Sequence, residues 1–153
     1  MKKVIPLSVL LLVAFLALPS CSKNASDKQA TIDHQKIVDY VTTNNLQGQY
    51  TSDGMFYEIL NSGSSHHPTI SSTVTVNYKG YLLDGTIFDQ ATGSTFGLSQ
   101  VIKGWQEGVP LIGTGGQILL IIPSGLAYGG SQSGSIPGNS VLAFNITLVG
   151  YTN

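Results

Sequence analysis

Val74-Thr75-Val76-Asn77-Tyr78-Lys79-Gly80-Tyr81-Leu82-Leu83-Asp84-Gly85-Thr86-Ile87-Phe88-Asp89 is the stretch that sets the fold class. Its opening, Val74 to Tyr78, is short and rich in β-branched and aromatic residues, which fit a pleated, half-buried surface. Asp84-Gly85 then marks a turn, because that pair tolerates positive φ. Outward from here the same composition recurs at Met55 to Leu60, Gln117 to Ile122 and Val141 to Val149, each bounded by Gly, Pro, Ser or Asn. Ser62-Gly63-Ser64 and Gly113-Thr114-Gly115-Gly116 read as further turns. In this part of the chain only Lys103 to Pro110 has a helical look. A mostly antiparallel sheet with one short helix against one face follows, an α+β arrangement.

Upstream of Gly48 the period changes. Ile32, Ile37, Val38 and Val41, with Tyr40 beside them, fall near helical spacing after Thr31 and Asp33, both suitable N-caps, so a short helix is expected over about 32–44, stopped at Asn44-Asn45. Cys21 to Ala30 offers nothing to bury and is expected to be a flexible tether. Before it, Met1-Lys2-Lys3, the apolar run Val4 to Leu18 and Leu18-Pro19-Ser20-Cys21 have the layout of a secretory signal peptide. The run is shorter than the roughly 20 apolar residues a spanning helix needs. Leu-Pro-Ser-Cys resembles the bacterial lipobox, which implies lipid attachment at Cys21 and a membrane-anchored lipoprotein of the cell envelope, its domain facing the periplasm. The expected division is 1–20 signal peptide, 21–30 tether, 31–48 helical segment and 49–153 folded domain.

Charge and cysteine content remove several function classes. Seven basic and eight acidic residues leave no basic stripe, so nucleic acid is not an expected partner. With one cysteine no internal disulfide and no thiolate metal site can form. Three histidines, two of them the adjacent His66 and His67, are a poor metal set. No metal or cofactor is expected. So few charges point to recognition by shape and apolar contact.

Four motifs in the same order resemble the FKBP family of peptidyl-prolyl cis/trans isomerases, from about Gly54 to Val149. They are the opening stretch, Val74 to Asp89; Phe96-Gly-Leu98-Ser-Gln-Val101-Ile102-Lys-Gly104-Trp105-Gln-Glu-Gly108; Ile122-Pro123-Ser-Gly-Leu-Ala127-Tyr128-Gly129; and Ile136-Pro137-Gly-Asn-Ser-Val-Leu142-Ala-Phe144. The resemblance implies a strongly twisted antiparallel sheet wrapped around one short α-helix, with a short N-terminal helix beside it. It implies isomerisation of X–Pro bonds in exported, proline-containing polypeptides, without a nucleophile.

By the same resemblance Trp105 is the floor of a prolyl pocket; Tyr78, Phe88, Val101, Ile102 and Phe144 are its walls, Phe96 lies alongside, and Ile136 overhangs it. Tyr128 and the Ile102 amide are the implied donors to substrate carbonyls. Asp89 is implied to pair with the Tyr78 hydroxyl. Tyr78, Asp89, Tyr128 and Phe144 form the catalytic group. On the residues alone, Trp105, Phe144, Val101 and Ile102 also read as core, and Asp89 as a turn cap.

Departures from the family pattern fall at Ser94, where many members place a pocket aromatic, at Leu126, where some have Tyr, and in the short Gln90-Ala-Thr-Gly93 segment, which lacks the family's basic residue. Ser94 is expected to open one wall and weaken macrolide inhibitors of the kind the family binds. Gly129 to Ser135 is rich in Gly and Ser and is expected to be mobile. A monomer is the default, because no long dimerising segment is available. A non-catalytic chaperone or proline-peptide module using the same pocket is the alternative function.

Overall fold

A computed structural model describes residues 21–153. The expected signal segment 1–20 lies outside the described residues, as does the Cys21 side chain that would carry lipid. In chain order the elements are helix α1 (Cys21–Thr43), β1 (Gln49–Tyr50), β2 (Phe56–Asn61), β3 (Thr73–Leu82), β4 (Ile87–Gly97), helix α2 (Lys103–Gly108), β5 (Gln117–Ile122) and β6 (Leu142–Thr152). The strands form one twisted antiparallel sheet in the order β1-β2-β5-β6-β3-β4. The α+β class and the short helix against the sheet agree with the sequence reading.

One face of the sheet holds the main core. Val74 and Val76 of β3, Ile118, Leu120 and Ile122 of β5, and Leu142, Phe144, Ile146 and Leu148 of β6 close over Trp105 of α2 with Met55, Val109 and Ile112. Helix α2 lies very close to β5. A Cβ on Gly104 would come 2.6 Å from Ile122, and one on Gly108 2.6 Å from Leu120. Both positions therefore exclude any larger residue at this packing distance.

The opposite face is buried too. Leu119 and Ile121 of β5, Phe56 of β2, and Val141 and Ala143 pack against Ile37, with Tyr40, Val41 and Leu46 around them. Helix α1 is the cover, so the sheet lies between two helices. This is why β5 reads as an unbroken apolar run: alternate residues serve two cores.

Helix α1 corrects the sequence reading of its segment. It is helical already at Cys21, the first described residue, where a flexible tether and a helix from about 32 were expected. Thr31 and Asp33, read as N-caps, lie inside it. The Thr31 hydroxyl donates back to the Asp27 carbonyl at 3.0 Å, and Asp33 turns inward. Once Asp33 and Ile37 are docked, each upstream residue adds a backbone hydrogen bond for its ordering and needs no apolar side chain. The C-terminus ends as expected at Asn44-Asn45. Asn45 takes φ 53°, the Leu46 N–H donates to Val41 O at 3.0 Å and the Asn45 N–H to Thr42 O at 3.2 Å. That is the Schellman pattern with asparagine in the left-handed position, and Leu46 closes it against the second core. Among the described residues no helix is long and apolar enough to cross a membrane.

Candidate functional site

At one end of the main core, the side chains singled out in the sequence meet around a cavity of about 480 Å³ lined by Tyr78, Phe88, Asp89, Phe96, Gln100, Val101, Ile102, Trp105, Tyr128, Ser133, Gly134, Ser135, Ile136 and Phe144. They come from four elements and the segments between them. Tyr78 is on β3, Phe88, Asp89 and Phe96 on β4, Trp105 on α2 and Phe144 on β6, while Val101, Ile102, Tyr128 and Ile136 come from connecting segments. A larger depression of about 640 Å³ lies on the far side of the sheet among Asn77, Lys79, Gln90, Asn145 and Thr147. Apart from Tyr78 no aromatic side chain lines it, so it offers an apolar ring no comparable floor.

Trp105, buried at 3 % exposure, is the hub. Tyr78, Phe96 and Phe144 meet it edge to face, with ring centroids at 5.2, 5.8 and 5.3 Å and interplanar angles of 80°, 87° and 87°. Phe88 meets Phe144 in the same way at 5.4 Å and 81°. Such pairs favour these angles because a ring's positive edge faces a negative face, each contributing about 0.5–1.5 kcal/mol beyond burial. The indole Nε1–H is buried and has no acceptor among the described residues. A donor left that way costs about 1–3 kcal/mol, so the floor is held by packing and not by hydrogen bonds.

Backbone features aim these rings. Gly80 is paired with Asp89 on one side and Phe144 on the other. A Cβ there would lie 2.6 Å from Phe144 Cε1 and 2.7 Å from Phe88 Cε2, so the two rings close over a bare backbone. Between the pairs Val76/Ser94 and Tyr78/Ala91 the β3–β4 register slips, and Thr92 and Gly93 together oppose Asn77. The Gly93 N–H donates to Asn77 Oδ1 at 2.8 Å and closes this bulge. The short Gln90–Gly93 segment is thus part of β4. Ser94 is half-buried opposite Val76 and does not line the cavity.

Two groups present donors. The Tyr128 ring is 42 % exposed and its hydroxyl has no partner among the described residues. Ile102 precedes α2, and its N–H is likewise free among the described residues, while its carbonyl accepts from Trp105 and Gln106. Tyr78, by contrast, is committed: its hydroxyl donates to Asp89 Oδ2 at 2.6 Å. Burial above all, then this hydrogen bond and the Asp89 charge, push the Tyr78 hydroxyl up to about 12. It is a neutral wall at any physiological pH.

The loop read as mobile is closed by a two-bond turn, Ser133 N–H to Ile136 O at 3.0 Å and Ile136 N–H to Ser133 O at 2.9 Å, which presents Ile136 over the cavity. Gln100 and Ser133 to Ser135 were not anticipated at the rim; the Gly/Ser composition of the loop was the only signal. No Lys, Arg, His or Cys lines the cavity. The arrangement can take an apolar ring against aromatic walls and donate to carbonyls at its mouth. It offers no thiol, amine or imidazole for covalent or proton-transfer chemistry, and its one carboxylate, Asp89, is taken up by the Tyr78 hydroxyl.

Comparison with known proteins follows the same line. The model of a family described as FKBP-type peptidyl-prolyl cis-trans isomerase matches residues 64–149. An FKBP-type peptidyl-prolyl cis-trans isomerase FkpA of Aeromonas hydrophila is 38 % identical over 134 residues, covering 84 % of this chain and 50 % of that protein. A probable FkpA of Neisseria meningitidis is 44 % identical over 104 residues, covering 65 % of this chain and 38 % of that one. The chain therefore spans half or less of the length of these relatives. The crystal structure of Escherichia coli FkpA superposes with TM-score 0.72 at 35 % identity, over 87 % of this chain and 65 % of that one. A Pseudomonas syringae peptidyl-prolyl cis-trans isomerase gives 0.70 at 30 % identity, over 81 % of this chain and 96 % of that one.

Proposed function

The chain belongs to the FKBP-type peptidyl-prolyl cis/trans isomerase family, and from that membership we propose that it catalyses rotation about X–Pro bonds of exported polypeptides. The observation that carries the reading is the aromatic cavity itself: it is of ligand size, floored by a buried Trp105 and lined by no Cys, Lys or His.

The uncatalysed barrier, ~18–20 kcal/mol, comes from amide resonance, and catalysis requires an environment that favours the twisted amide over the planar one. The prolyl ring enters against Trp105, between Tyr78, Phe88 and Phe144. Removal of water deprives the polarised planar carbonyl of solvation, while the twisted amide, with less charge separation, loses less. The Tyr128 hydroxyl and the Ile102 N–H hold flanking carbonyls, and Asp89 fixes the Tyr78 wall through its hydroxyl. Tenfold acceleration needs about 1.4 kcal/mol of such preference.

A refolding assay limited by proline isomerisation, which otherwise takes tens to hundreds of seconds, tests this directly. Acceleration by the wild-type chain, lost in Phe144→Ala and Tyr78→Ala, is expected. No acceleration, together with suppressed aggregation of the client, would instead identify a holding module.

The signal-like run and Leu18-Pro19-Ser20-Cys21 support a place in the cell envelope, with lipid on Cys21. The link to that lipid is then α1. From Cys21 to Asp33 it rises about 18 Å as helix, a stiffer spacer than a coil. Mass spectrometry of the N-terminal peptide and fractionation of Cys21→Ser test this; a protein that stays with membranes without Cys21 refutes it.

A further inference from the structure

Helix α1 reaches the cavity through one buried carboxylate. Asp33 is 1 % exposed. Its Oδ2 accepts the Ser124 N–H at 2.8 Å and the Ser124 hydroxyl at 2.6 Å, and its Oδ1 accepts Gln29 Nε2 at 2.8 Å. Ser124 begins the one-turn 3₁₀ segment Ser124–Leu126, which has no side-chain cap of its own. Asp33 supplies that cap from a helix 91 residues earlier in the chain.

What Ser124 holds in turn is the Tyr128 segment. The Ser124 carbonyl accepts the Ala127 N–H at 3.0 Å and the Gly129 N–H at 2.8 Å, one on each side of Tyr128. The Gly129 carbonyl then accepts the Asn139 N–H at 2.8 Å, closing the base of the loop that carries Ile136. Gly129 takes φ 63°, which keeps this turn tight. Because the Tyr128 hydroxyl has no partner of its own, its aim is set by these backbone bonds.

We propose that Asp33 is a positioning residue for the isomerase site, fixing Ser124 and through it the direction of Tyr128. The proposal rests on the reading of Tyr128 as a donor to substrate. Removing the carboxylate leaves two buried Ser124 donors unpaired, and the turn is then free to relax toward solvent.

The test is a double-mutant cycle with the full chain, using Asp33→Ala and the milder Ser124→Ala in wild-type and Tyr128→Phe backgrounds. Either change is expected to lower kcat/KM about fivefold in the wild type and less than 1.5-fold once the Tyr128 hydroxyl is gone. Amide exchange at Ala127 and Gly129 is expected to accelerate at least tenfold, with β5 amides unchanged. Equal losses of kcat/KM in both backgrounds, or unaltered exchange at Ala127 and Gly129, would overturn the role. If Tyr128→Phe alone is silent, the substrate contact of Tyr128 fails, and the exchange data still decide whether Asp33 holds the segment.

Discussion

Gly80→Ala isolates the cavity walls from the rest of the fold. The added methyl would sit 2.6 Å from Phe144 Cε1 and 2.7 Å from Phe88 Cε2, where carbon atoms prefer about 3.5–4.0 Å. The strand cannot yield, because residue 80 is paired with Asp89 and Phe144 on both sides. The rings must therefore move by about 1 Å. Overpacking of this kind costs about 1–3 kcal/mol, and replacing glycine in a strand returns about 0.5–1 kcal/mol of chain entropy. The net loss is about 0–2.5 kcal/mol, a fall in Tm of at most several degrees. Activity should drop further than stability, since both displaced rings face the cavity and Phe144 packs on Trp105 at 5.3 Å. At least a tenfold loss of kcat/KM in the proline-limited refolding assay is expected. Trp105 is the chain's single tryptophan, so its fluorescence reports the displaced ring directly. Gly150→Ala is the control: it has no heavy atom within 4 Å of the new methyl, and both Tm and activity should stay near wild type. A Gly80→Ala protein with wild-type fluorescence and kcat/KM within twofold would refute the assignment of Phe88 and Phe144 as walls.

Three further outcomes follow from the same geometry. Tyr78 should titrate near pH 12, and its raised value contributes stability that is complete below pH 10 and lost as pH rises through about 12; Asp89→Asn should lower that midpoint yet leave it above 10, because burial is the larger cause, as ultraviolet titration against Tyr78→Phe will show. Ile37→Ala empties a fully buried site between α1 and β5 and should cost about 2–5 kcal/mol in denaturant unfolding; a loss below 1 kcal/mol would mean that the second core is not cooperative with the first. Ser94→Phe places an aromatic on the face shared by Val76 and Phe96 and should tighten binding of a macrolide ligand, read by Trp105 fluorescence; unchanged affinity would show that position 94 is not a missing wall.

The readable part of this protein is the part that local pattern controls. Short β-rich runs between Gly and Asn gave strands near their true bounds, and Asn44-Asn45 gave the end of α1, because a left-handed cap is a property of one residue. The cavity residues were found by motif, since Tyr78, Phe88 and Phe144 are otherwise indistinguishable from core until the register around Gly80 brings them together. Strand β4 was missed: Gln90-Ala-Thr-Gly93-Ser94 has weak strand propensity, and its pairing is imposed by β3 through a bulge.

Helix α1 shows the opposite limit. Its first turns carry no apolar stripe, so composition alone reads them as coil, yet the signal for a cover on the second face was present elsewhere, in Ile118-Leu119-Leu120-Ile121-Ile122. A strand with one wet face would alternate; this one does not, and the only described element that buries Leu119 and Ile121 from outside the sheet is α1. Asp33 was illegible for a related reason. At that place in the sequence a carboxylate before an apolar stripe is a good N-cap, and it does act as a cap, but for the 3₁₀ turn at Ser124 and not for its own helix. Local chemistry thus identified the kind of bond Asp33 makes, and only the tertiary fold could supply the partner. That partner lies four residues from Tyr128, which is why a residue assigned by sequence to a peripheral segment belongs to the supporting structure of the cavity.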